Sequence, residues 1–243
     1  MFGFDLIHIG IMVVGMALSL AASGYVKYKF NKGKAVQLRS GMTGAEIARA
    51  ILRQNDVADV EVHEHQGFLS DHYNPGAKTL NLSPDVYHGR SAAAAGVAAH
   101  EVGHALQHAQ GAMSMWARTI LVYPAHFGSM LAPWLIIIGL FMSEGGKLLP
   151  NTWQHTLALV GVFGFGIALA CSVFIVMNEF DASARAKTAL ATMGVTRPGE
   201  EDDTVKGVLT AAGLTYVAAA IVALMELLYW AWRAGLIGGQ RRD

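Results

Sequence analysis

Three observations predict a mainly α-helical membrane protein with a small α+β domain outside the bilayer. Hydrophobic residues make up 53% of the 243 and charged residues only 15%, a balance too apolar for an ordinary soluble domain. Four apolar runs are each long enough to cross a bilayer, which takes about 20 residues. Between the first two lies a polar stretch whose hydrophobic period switches between helix and strand. Formal net charge is zero, so no basic surface points to nucleic acid as a partner. Cys171 is the only cysteine; it cannot form an intrachain disulfide and says nothing for an oxidising compartment.

The first run, Leu6 to Tyr25, has no formal charge and is followed by Lys27, Lys29, Lys32 and Lys34. A cleaved leader carries its positive charge before the apolar core, so residues 1–25 read as a retained transmembrane helix. The second and third runs, Thr119 to Met142 and Thr156 to Met177, are joined by the short SEGGKLLPNTWQH and read as a helical hairpin. Pro124 and Pro133 should kink the second, which neighbouring helices can tolerate. The fourth run, Val208 to Trp232 within residues 207–232, ends in Tyr229, Trp230 and Trp232, side chains suited to a membrane interface. Glu226 near its end reads first as an acid reaching the headgroups, ahead of a functional role.

Lysine and arginine set the orientation. Arg39 joins the four lysines after the first run, and Arg185, Lys187, Arg197 and Lys206 follow the third, whereas the hairpin turn has only Lys147. Both long segments, residues 26–118 and 178–206, are therefore expected in the cytoplasm and both termini outside. Arg233, Arg241 and Arg242 on the tail, residues 233–243, pull the other way.

Val26 to Arg118 reads as a folded domain. TGAEIARAILRQN opens with a capping box, Thr43 and Glu46, and places Ile47, Ile51 and Leu52 at helical spacing. VEVHEH and KTLNLS alternate like half-buried strands, with Asn74-Pro75-Gly76 as turn residues between them. Ser91 is a plausible N-cap for the helix AAAAGVAAHEVGHALQHA. The predicted order is helix, two strands, long helix.

That last helix carries the chemistry. His100 and His104 are four residues apart, so they share a face about 6 Å apart along the axis, and both imidazoles can converge on one metal at about 2.0–2.1 Å. Glu101 is rotated by about 100° from His100, beside the metal rather than on it, where it can take a proton from metal-bound water. This is why H-E-x-x-H is a metalloprotease signature. A shuffled chain of this composition contains the pattern in roughly 1–2% of cases, so chance alone does not account for it. Small neighbours, Ala98, Ala99, Gly103 and Ala105, allow close approach of a packing helix or a substrate backbone. His108 would sit about 12 Å along the axis from His100, too far to share a metal, and reads as a packing neighbour.

A catalytic zinc takes three protein ligands and keeps one position open. MNEFDASARAKTA, residues 177–189, begins where the third run ends, and two spans return it to the side of the histidine helix. Glu179 and Asp181 are both possible ligands. Glu179 shares a helix face with Ser183 and Asp181 points elsewhere, so spacing favours Glu179 without deciding.

Together SDHYNP, LNLSPDVY, GRS, AAHEVGHALQH and NEFDASARA resemble the bacterial neutral zinc metallopeptidases of the membrane, which are distantly similar to the CAAX prenyl proteases and the heat-shock membrane proteases. The resemblance covers nearly the whole chain, and it implies a zincin-like small domain and a bacterial inner-membrane location. In that wider clan the third ligand is the first glutamate of an E-x-x-A-D segment, which implies Glu179; Ser183 stands where the final acid would be. KTLNLS resembles the edge strand on which an extended substrate adds in such enzymes. His72 and Tyr73 are candidates for stabilising the oxyanion, with a structural turn capped by Asp71 and Asn74 the favoured alternative. His63, His65 and His88 read as surface or packing residues, and GEEDD, residues 199–203, as a solvated loop.

The function expected is that of a zinc metalloendopeptidase acting on membrane or membrane-associated polypeptides. His100, His104 and Glu179 would bind Zn2+ and Glu101 would serve as general base. Its partners are a polypeptide substrate and the lipid bilayer; nothing in the sequence specifies a homo-oligomer. Two rivals differ in class: an intramembrane, site-2-type protease, and a catalytically silent membrane protein that binds metal or assists assembly.

Overall fold

A helix that is apolar on every side has no face to turn to water and belongs in a core or a bilayer. Three helices here have that character: α1 (Leu6–Lys34), α6 (Trp153–Thr192) and α7 (Glu200–Arg233). Each is long and apolar enough to cross a membrane. The computed structural model describes residues 5–111, 123, 128, 130–143 and 148–238. Between α1 and α6 come α2 (Gly44–Gln54), β1 (Glu61–Glu64), β2 (His72–Asn74), β3 (Thr79–Leu82), α3 (Pro84–Tyr87) and α4 (Ala92–Ala109). A shorter apolar helix follows, α5 (Met130–Phe141), with Pro133 inside it. It is the described part of the second of the four expected spans. Arg118, residues 119–122, Pro124, Lys147, Arg241 and Arg242 lie outside the described residues. The protein is thus mainly helical, with three helices long and apolar enough to span a membrane among the described residues.

The chain divides into two units. One comprises Met1–Leu20, Ala117–Val176 and Tyr216–Asp243. Its core holds Ile136, Val162, Phe165, Tyr229 and Trp230, while Trp134, Phe163 and Met16 are exposed. An apolar exterior of this kind suits lipid, whose tails are as apolar as leucine. Two expectations change here. Tyr229 and Trp230 pack in the core, leaving Trp232 as the exposed member of the aromatic cluster. The Glu226 carboxylate turns inward, where it accepts a hydrogen bond from Trp230 Nε1 at 2.9 Å and meets His8 Nε2 at 3.3 Å. In apolar surroundings a carboxylate takes the nearest donors.

The other unit comprises Ala21–Trp116 and Met177–Thr215. The Thr43 side chain accepts the Glu46 N–H and Glu46 answers on the Thr43 N–H, so the capping box forms, and α2 buries Ile47, Ile51 and Leu52. Ser91 caps α4 by accepting the Ala94 N–H at 3.3 Å. Nearly every residue of α4 from Ala92 to Gln107 is buried. The core gathers Ile51, Leu80, Leu82, Val86, Val102, Leu190 and Val205.

Three further expectations are corrected. The segment KTLNLS supplies β3, which is central: the strand order is β1-β3-β2, with β1 parallel and β2 antiparallel to it. Both of its edges are occupied, so no substrate strand can add there. The partner that the sequence pattern hides is β2, formed by the presumed turn segment because Tyr73 pairs with Leu80 and buries beside it. The acidic run is not a loop; Glu200, Glu201, Asp202 and Asp203 form the first turn of α7, where the helix dipole favours negative charge. Glu201 is buried there and accepts the main-chain N–H of Arg39 and of Arg197.

Candidate metal centre and active site

Two helices build the site. α4 presents His100, Glu101 and His104, all buried, and α6 presents Glu179, only 2% exposed. On α6 the residues Glu179, Ala182, Ser183, Ala186 and Leu190 are all buried, spaced at three or four, so they form one helix face. The helices meet closely because Gly103 has no side chain: a Cβ there would stand 2.6 Å from the Ala182 carbonyl oxygen.

This contact brings the predicted ligands together. Glu179 Oε2 lies 3.2 Å from His100 Nε2 and 3.5 Å from His104 Nε2. Their ligand atoms all lie within 4.8 Å of one another, and the group does not include Glu101. Instead Glu101 Oε2 accepts the main-chain N–H of Tyr73 at 3.0 Å. Strand β2 thus holds the carboxylate that sits beside the cluster.

Behind the ligands lie partners that sequence reasoning missed. Ser183 Oγ is 3.2 Å from His100 Nδ1. Gln107, completely buried, has its Oε1 2.9 Å from His104 Nδ1 and donates through Nε2 to Asp181 Oδ2 at 2.7 Å. Arg185 donates to the same Asp181 oxygen at 2.8 Å. Asp181 is therefore not a fourth member of the cluster. The available signal was spacing: Gln107 follows His104 by three residues, which puts the two on one face.

The structure does not bring His72 to the site. Its Nδ1 donates to the Ser70 carbonyl at 2.9 Å and its Nε2 accepts from Asn81 Nδ2 at 3.2 Å. Side chains alternate along a strand, and Tyr73 is the one facing α4, with its phenol 2.8 Å from His108 Nδ1. His108 is accordingly a packing neighbour. Asp71 accepts the main-chain N–H of Ser83 at 2.7 Å and its hydroxyl at 3.0 Å. Burial pushes the Asp71 pKa up; the two Ser83 donors work against that rise and the charge of Glu101 adds to it. Burial also raises the Tyr73 phenol, helped by the charge of Asp59. Asn74 Oδ1 accepts the N–H groups of Gly76 and Ala77, closing the turn. His63 and His88 pair at the surface with Glu61 and Glu64, and His65 rests edge-on against His72.

Apolar spanning helices joined to a buried His-His-Glu group define a membrane protein equipped to hold a metal ion. The sequence comparison narrows this further. Residues 8–235 match the family described as "Putative neutral zinc metallopeptidase", and the chain belongs to that family. It is also 40% identical over 223 residues to a protein of Bacillus subtilis (strain 168) named "Putative membrane protease YugP", a match covering 92% of this chain and 94% of that protein. No solved structure matches the chain. The family implies zinc, and the residues fit it: two imidazoles and a carboxylate, buried and convergent, are the donor types and the number that a catalytic zinc takes from protein.

Proposed function

We propose that this protein is a zinc metalloendopeptidase of the H-E-x-x-H type that hydrolyses peptide bonds in membrane or membrane-associated polypeptides. The observation that carries the reading is the convergence of His100, His104 and Glu179, with Glu101 held beside them but outside the cluster. Zinc held by those three residues supplies a Lewis acid for the scissile carbonyl and for water. Glu101 is the general base, taking the proton of the attacking water and returning one to the leaving amine. The Tyr73 N–H fixes one of its oxygens and leaves the other for that proton. Burial keeps bulk water away from the charges involved.

The E-x-x-A-D pattern of the CAAX prenyl protease and heat-shock membrane protease clan supports Glu179 as ligand. Here Ser183, on His100 Nδ1, stands in for the final acid. The distribution of lysine and arginine supports a site facing the cytoplasm, and the Bacillus subtilis relative, by its name, a bacterial membrane. Against a site-2-type protease, α4 is not among the described helices long and apolar enough to span.

The test uses wild type, Glu101→Gln and Glu179→Ala purified in detergent, with zinc content and cleavage of an unfolded substrate measured together. Glu101→Gln should keep zinc and lose cleavage, and Glu179→Ala should lose both. Full zinc in Glu179→Ala would remove that ligand. Zinc uptake by wild type without cleavage across a panel of membrane proteins would leave a silent metal-binding protein.

A further inference from the structure

The carboxamide of Gln107 takes no part in the reaction just described, yet its hydrogen bonding is fully determined. It meets three groups: His104 Nδ1 at 2.9 Å, the main-chain carbonyl oxygen of Asn178 at 3.0 Å and Asp181 Oδ2 at 2.7 Å. A carbonyl oxygen only accepts, and so does an ionised carboxylate. Both lie at one end of the amide, so that end is the NH2 and the other is the carbonyl oxygen. An oxygen facing His104 requires a donor, so His104 carries its proton on Nδ1. That leaves Nε2, the atom 3.5 Å from Glu179 Oε2, as the nitrogen whose lone pair a metal can take, displacing any proton there.

We propose that Gln107 is a positioning residue that locks His104 in the tautomer offering Nε2 to the metal. The inference rests on the zinc site proposed above and explains why an amide occupies this position. A glutamate would set a second carboxylate beside Asp181 and an acceptor against the Asn178 carbonyl. Arg185 holds the far end: its Nε donates to Asp181 and its Nη1 to Gln110 Oε1. At His100 the Ser183 hydroxyl on Nδ1 can donate or accept and suits either tautomer. Asp181, a rival ligand on sequence grounds, acts through Gln107 instead.

Two readouts test this, one of them independent of metal. In zinc-free protein labelled with 15N-histidine in detergent, NMR should show a proton on Nδ1 of His104, assigned by its loss in His104→Asn. In Gln107→Met, which keeps the volume and removes the amide, the Nε2–H form should appear. Zinc affinity, measured against a chromophoric chelator, should fall by about 10–100-fold. Gln107→Glu should also weaken zinc binding, and Ser183→Ala should weaken it less than either. An unchanged His104 signal with wild-type zinc affinity in Gln107→Met would overturn the lock. Should Gln107→Met fail to fold, the zinc-free wild type still decides: a His104 whose Nδ1 carries no proton would overturn the proposal. A wild type that takes up no zinc would overturn the metal site, whereas the tautomer signal reads the lock without it.

Discussion

Gly103→Ala adds one methyl group to a contact that has no room for it. The new Cβ would stand 2.6 Å from the Ala182 oxygen, and 3.1 and 3.2 Å from that residue's carbonyl carbon and Cα. Ordinary contact begins at 3.4 Å, so α4 and α6 must part locally by about 0.8 Å, the difference between 3.4 and 2.6 Å. The obstructing atoms are backbone, so no rotamer relieves the clash. Metal sites hold their ligand distances to within about 0.2 Å, a tolerance this separation exceeds several-fold. Forcing an extra methyl into a packed core costs about 1–3 kcal/mol. At about 2–4 °C per kcal/mol for a chain of this size, the apparent melting temperature should drop visibly. Circular dichroism in detergent reads that drop, and competition with a chelator reads zinc binding. The variant should be less stable and should bind zinc at least about 10–100-fold more weakly, as when ligands lose their support. Wild-type melting and wild-type zinc affinity together would refute the argument that this contact sets the spacing of the ligands.

Three other outcomes follow from the geometry. Tyr73→Phe keeps the main-chain N–H on Glu101 and removes the phenol from His108, so it should cost about 1 kcal/mol of stability and change turnover less than ten-fold. A loss of about 10²–10³ in kcat would instead put the phenol on the reacting carbonyl. Asp71 has a folded pKa above its ordinary value of 3.8, chiefly from burial, so its contribution to stability is fully present below that value and is lost as pH rises through the folded pKa. Asp71→Asn, which cannot ionise, should therefore gain on wild type in melting temperature as pH rises over that range; a pH-independent difference would contradict the shift. Zinc at 100 times its Kd should stabilise wild type by about 2.7 kcal/mol, and Glu101→Gln should gain as much, because Glu101 is not a ligand. No gain in that variant would move Glu101 into the ligand set.

Features governed by near neighbours in sequence were legible from the residues. The capping box of α2 is a contact between Thr43 and Glu46, and His100 with His104 needs only a helix to share a face. Strand pairing was not legible. The inward alternation of Leu80 and Leu82 says which face of β3 is buried, but nothing about which of its edges are paired. Strand β2 is three residues long and ends at Asn74-Pro75, so its turn chemistry masked it. Glu226 looked like an acid near a helix end because one of the two groups that hold it, His8, comes from far along the chain.

The sequence by itself determined which helices are apolar enough to span a membrane, and it determined two candidate ligands and a candidate base, because helical spacing needs no tertiary information. Only the tertiary structure decided the remainder. Glu179 lies 79 residues from His100 and reaches it through the approach of α6 to the bare backbone of Gly103. The tautomer proposed for His104 depends on the Gln107 amide of the same helix and on two groups that packing alone brings to that amide, the Asn178 carbonyl and the Asp181 carboxylate. A tautomer is set by which partners are donors and which are acceptors, and those partners meet only once the two helices are packed.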